Sequence, residues 1–119
     1  MDPHFDGMIF KTHAAELLRR MRSPHPPFLV LDVRAAPERA RGVVPGSVAL
    51  RSAELDALPP GTGPATEFFV VGRDQYDEEV RRTTLRLREL GAHRVVELTG
   101  GMLEWERQGF PLDTVNRAA

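Results

Sequence analysis

Phe28-Leu29-Val30-Leu31-Asp32-Val33-Arg34, followed by Pro37-Glu38 and then by Gly42-Val43-Val44-Pro45-Gly46-Ser47, is the most specific stretch of this chain. Four apolar residues in a row, ending at Asp32, suit a strand covered on both faces, because a strand with one wet face alternates. Pro37 suits the first turn of a short helix, where a missing N–H costs nothing. Pro45-Gly46 reads as a tight turn into the next strand. Asp32, Arg34 and Glu38 then form a candidate structural corner, in which Arg34 pairs with Asp32 or with Glu38 and holds the turn.

Similar signals extend in both directions from this corner. Thr12 is a plausible N-cap for a helix reaching about Met21, with Ala15, Leu17, Leu18 and Met21 as its apolar face. Ser23-Pro24-His25-Pro26-Pro27 must end it, since proline cannot continue a helix. Phe68 to Val71 is a second unbroken apolar run; Val95-Val96 with Leu98 is a weaker third, and Ser47 to Leu50 a fourth. Asp77 to Leu90 predicts a helix with Val80, Thr83, Thr84, Leu87 and Leu90 on one face and Gly91 just past its end. A last helix is expected from Met102 to Gln108, stopping at Gly109, with Trp105 in its apolar run as a core residue. Short buried strands alternating with amphipathic helices predict a three-layer α/β domain with a parallel sheet. In that class ligands gather at the carboxyl ends of the strands, so the segments after Asp32 and after Val71 matter most.

Bulk properties agree with one domain over residues 1–119. The chain has 119 residues, 41% of them hydrophobic and 28% charged, the balance of a globular protein that needs no metal or disulfide to fold. A formal net charge of −1 gives no general attraction to nucleic acid or to an anionic membrane. No stretch approaches the roughly 18 apolar residues of a spanning helix, and Met1 to Phe10 is acidic rather than basic-then-apolar, so a cytoplasmic protein is expected. Met1 to Gly7 and Asn116 to Ala119 read as loose ends. There is no cysteine, which excludes thiolate chemistry, disulfides and every cysteine-ligated metal. His13 and Glu16 have a metal-ligand spacing but no third partner, and His4, His25 and His93 fall in loops or ends. No serine sits in a G-x-S-x-G setting and no glycine-rich phosphate loop follows a strand, so no cofactor is expected. Arg81, Arg82, Arg86 and Arg88, with Arg94 nearby, read as a solvated basic face; little aromatic interleaving argues against nucleic acid.

At three points the chain resembles the rhodanese homology family. Leu31-Asp32-Val33-Arg34 is similar to its aspartate-valine-arginine corner, and Gly42-Val43-Val44-Pro45-Gly46-Ser47 to its glycine-x-isoleucine-proline-glycine-alanine turn. Leu98-Thr99-Gly100-Gly101-Met102-Leu103-Glu104-Trp105 is similar to its glycine-glycine-x-x-x-tryptophan end piece. The motifs occur in the family's order over about residues 8–113. The resemblance implies a five-stranded parallel sheet flanked by helices. It also implies an active-site loop after the central strand, where active members carry a cysteine that takes up sulfane sulfur as a persulfide.

Carried onto this chain, the nucleophile position falls on Gly72, and the loop that follows is Arg73-Asp74-Gln75-Tyr76-Asp77-Glu78-Glu79. Glycine cannot attack sulfur or phosphorus. Glu78 stands where related phosphatase-like loops carry an arginine that clamps phosphate oxygens. A carboxylate about 4–6 Å from a bound thiosulfate or phosphate repels it by about 1–4 kcal/mol. Asp74, Asp77, Glu78 and Glu79 can instead cap the next helix, with Glu78 pairing with Arg82; form an acidic lip for a partner; or hold a divalent ion, for which no converging ligands are visible. Tyr76 is the aromatic that the loop offers. The expectation is a catalytically inactive binding or regulatory module, with an unidentified protein partner or small ligand at residues 72–79. The alternative is a sulfurtransferase-related or phosphatase-like enzyme that uses a partner's thiol or the loop carboxylates as general base.

Overall fold

The computed structural model of the chain describes residues 9–115. His4 and the two expected loose ends lie outside the described residues. In chain order the elements are β1 (Phe10–Thr12), α1 (Ala14–Arg20), β2 (Phe28–Asp32), α2 (Ala36–Arg39), β3 (Val48–Ala49), a 3-10 turn (Ser52–Glu54), β4 (Glu67–Val71), α3 (Glu78–Glu89), β5 (Arg94–Leu98) and α4 (Gly101–Arg107). The sheet has five strands in the order β1-β5-β4-β2-β3, and every pairing in it is parallel. β4 is the central strand: its Val70 pairs with Leu31 of β2 on one side and with Glu97 of β5 on the other.

Period-two alternation within the apolar strands divides them between two cores, as expected for a sheet buried on both faces. Val30, Phe69, Val71, Val96 and Leu98 point to one side, where Ala14 and Leu17 of α1 and Met102 and Trp105 of α4 close over them. Leu31, Phe68, Val70 and Val95 point to the other, under Val80 and Leu87 of α3 and Leu55 after the 3-10 turn. Trp105 is fully buried, as its apolar setting predicts, and its indole N–H donates to the Pro111 carbonyl at 2.8 Å.

The stops of α3 and α4 are both Schellman motifs. At the end of α3 the Gly91 N–H donates to Arg88 O and the Ala92 N–H to Leu87 O; at the end of α4 Gly109 donates to Glu106 O and Phe110 to Trp105 O. The φ values of 104° at Gly91 and 72° at Gly109 explain why glycine stands there. The hydrophobic contact that accompanies the motif is the edge-to-face pair of Trp105 and Phe110, whose centroids are 5.3 Å apart.

The corner forms as a buried unit. Arg34 donates from Nε to Asp32 Oδ1 at 3.0 Å and from Nη2 to Asp32 Oδ2 at 2.8 Å. It also donates to the carbonyls of Glu38 at 3.1 Å and Gly42 at 2.8 Å. Asp32 is therefore the ionic partner. Glu38 serves through its backbone carbonyl, while its carboxylate accepts the Ala35 N–H at 3.2 Å. Ser47 N–H closes the Pro45-Gly46 turn on Val44 O at 3.0 Å.

Two expectations are corrected. Thr12 does not cap α1: it is the last residue of β1, its carbonyl accepts the Thr99 N–H at 2.8 Å, and the N-cap position belongs to His13. The reason is that Phe10-Lys11-Thr12 pairs with Val96-Glu97-Leu98 as an edge strand, too short to show a period of its own. The strand expected over Ser47 to Leu50 is confined to Val48–Ala49, pairing with Leu31 and Asp32.

Candidate functional site

The carboxyl end of β4 opens into the loop 72–79, which is held almost entirely by its own backbone and acids. Asp77 caps α3, with Oδ1 accepting the Glu79 N–H at 3.1 Å and Oδ2 accepting the Arg73 N–H at 2.8 Å. Asp74 Oδ1 accepts the Tyr76 N–H at 2.9 Å, and Arg73 Nε approaches Asp74 Oδ2 at 3.3 Å. The hydrogen bond and charge of Asp74, with Asp77 beyond it, push the already high Arg73 pKa further up. From the other side α4 supplies two of its free N–H donors: Met102 N to Gly72 O at 2.9 Å and Leu103 N to Arg73 O at 3.0 Å. This close approach needs Gly101, which has φ 57°; a Cβ there would lie 2.6 Å from Gly72 O.

Gly72 itself has no room for a side chain. A Cβ would stand 2.5 Å from Val80 Cγ2 and 2.7 Å from Asp77 Oδ2. The space beside Gly72 is thus occupied by the Asp77 carboxylate. That carboxylate takes up the Arg73 and Glu79 N–H groups.

The remaining loop residues separate into two groups. Glu79 turns inward: Oε2 accepts the Ser52 N–H at 2.7 Å and the Thr83 hydroxyl at 3.3 Å, tying the 3-10 turn to α3. Burial works against its charge, but the Ser52 hydrogen bonds, the Arg51 charge and Thr83 outweigh it and hold the carboxyl below its usual pKa. Gln75, Tyr76 and Glu78 face outward. Tyr76 is 75% exposed, and the Glu78 side chain, 85% exposed, reaches Arg82 at 3.5 Å. Capping by Asp77 and the Glu78–Arg82 pair are therefore both realised.

Tyr76 divides two clefts at the carboxyl ends of β4 and β5. The first, of about 270 Å³, runs between the loop, α3 and the open edge of the sheet; Lys11, Arg81, Glu97 and Thr99 line it with Tyr76 and Glu78. The second, of about 280 Å³, lies against α4 and is lined by Asp74, Gln75, Tyr76, Leu103, Glu104 and Arg107. Glu97, at the floor of the first, is a buried carboxylate in an otherwise apolar strand. Arg81 grips it with two hydrogen bonds, Nε at 2.7 Å and Nη2 at 3.0 Å. Burial raises the Glu97 pKa, yet the Arg81 hydrogen bonds and charge prevail and hold it below the usual carboxylate range. The sequence signal for this pair was the single charge interrupting Val95-Val96-Glu97-Leu98, which strand reading passes over.

The arginines read as a solvated basic face are largely engaged. Arg81 holds Glu97, Arg82 meets Glu78 and Glu79, Arg86 donates to Leu55 O at 2.9 Å, and Arg94 meets Glu67 at 2.6 Å. Glu16 is taken by Arg19 rather than by His13. Among the described residues no three histidine or carboxylate side chains converge as a metal ion would require, and no helix is long and apolar enough to cross a membrane.

A parallel five-stranded sheet between two helical layers, with a loop after its central strand facing a helix that begins Gly100-Gly101, defines a class of α/β domain. The family description of the rhodanese-like domain matches residues 13–108, and the chain belongs to that family. Solved structures agree on the fold. A Bacillus halodurans protein superposes with a TM-score of 0.79 at 16% identity, over 91% of this chain and 79% of that one. The rhodanese-like domain of an Anabaena protein gives 0.73 at 25% identity, over 100% and 87%. A Rhodopseudomonas palustris protein of unknown function, described as a possible tyrosine phosphatase, gives 0.71 at 19% identity, over 91% and 87%. No match was found among curated protein sequences.

Proposed function

We propose that this chain is a non-catalytic rhodanese-like module, a cytoplasmic relative of the sulfurtransferases that binds a partner through the loop 72–79. One observation carries the reading. The Asp77 carboxylate takes the Arg73 and Glu79 N–H groups and lies where a side chain at Gly72 would project. Nucleophile and anion cradle are lost together, and the second loss is locked in by the helix cap. A thiol lent by a partner would still deliver its anionic sulfur against this carboxylate. Hydrolysis by the loop acids fares no better: Asp74 and Asp77 are acceptors for the loop's own backbone, and Glu78 stands in solvent. What remains for the loop is recognition, through residues that are rigidly placed yet exposed.

The test is turnover by the pure protein. Thiosulfate with cyanide, and separately an aryl phosphate, should both give background rates with and without an added small thiol. Clear turnover of either substrate would end the non-catalytic reading.

A further inference from the structure

We draw no further inference here: the strongest candidate, the groove of about 500 Å³ at the amino ends of the strands, where Phe10, Pro26 and Pro64 lie beside Arg88 and Arg94, is an apolar and cationic surface with nothing in the structure to show what covers it.

Discussion

Replacing Gly72 with cysteine places a thiol at the position that the proposed reading assigns to the family's nucleophile, and the structure predicts that it will fail twice. The new Cβ must share space with Val80 Cγ2 at 2.5 Å and Asp77 Oδ2 at 2.7 Å. Val80 is buried and β-branched on a helix, so its rotamer cannot swing clear. Asp77 can move only by releasing Arg73 N and Glu79 N. Overpacking of a filled site costs about 1–3 kcal/mol, and a lost N-cap about 1 kcal/mol. The sum, about 2–4 kcal/mol, is a large share of the roughly 5–15 kcal/mol that holds a domain together. At roughly 4 °C per kcal/mol for a chain of this size, the melting temperature should fall by about 8–16 °C. Gly72→Ala carries the same Cβ without the thiol and should lose nearly as much. Thermal melts of wild type, Gly72→Ala and Gly72→Cys test the steric half. Cyanolysis of thiosulfate by Gly72→Cys tests the chemical half, and it should stay at background because the Asp77 carboxylate, even when displaced from the cap, stays in the loop with Asp74 and repels the thiosulfate anion. A Gly72→Cys protein that melts within about 2 °C of wild type, a change of under about 0.5 kcal/mol, would refute the packing argument. Brisk sulfur transfer from that single change would show that the cradle is open after all.

Other outcomes follow from the buried charges. Arg34→Ala leaves Asp32 buried without its cation and should cost about 3–5 kcal/mol in urea unfolding. Arg34→Lys should recover only a minor part, because one ammonium cannot span Asp32 and the carbonyls of Glu38 and Gly42. The pH dependence is set by Glu79 and Glu97, whose pKa values are depressed in the folded chain. Their contribution is fully present above the unfolded carboxylate value of about 4.3. It is lost as pH falls through the lower folded values. The melting temperature should therefore drop on the acid side, and Glu97→Gln should flatten that limb while lowering stability at neutral pH; an unchanged acid limb in Glu97→Gln would remove the pair from this account.

Much of the architecture was legible because it rests on local rules. Apolar runs at Phe28–Leu31 and Phe68–Val71 demanded strands buried on both faces. Gly91 and Gly109 marked helix ends that prove to be Schellman stops. The Asp32-Val33-Arg34 corner was readable since its ionic partners are two residues apart, although Glu38 serves by its carbonyl instead of its carboxylate. β1 was missed, because three residues cannot display a period and only pairing with Val96-Glu97-Leu98 makes them a strand.

The sequence by itself determined the parallel α/β class, the position of Gly72 directly after an unbroken apolar strand, and the absence of a thiolate. Those follow from residue type and near-neighbour spacing, which are properties of the chain alone. Tertiary structure decided how the acids of the loop are used. Asp77 fills the space beside Gly72, Glu79 turns inward to Ser52, and Arg81 leaves the basic face to clamp Glu97, sixteen residues on. Each of these depends on which backbone N–H or opposite charge a carboxylate meets across elements, and sequence spacing carries no record of that.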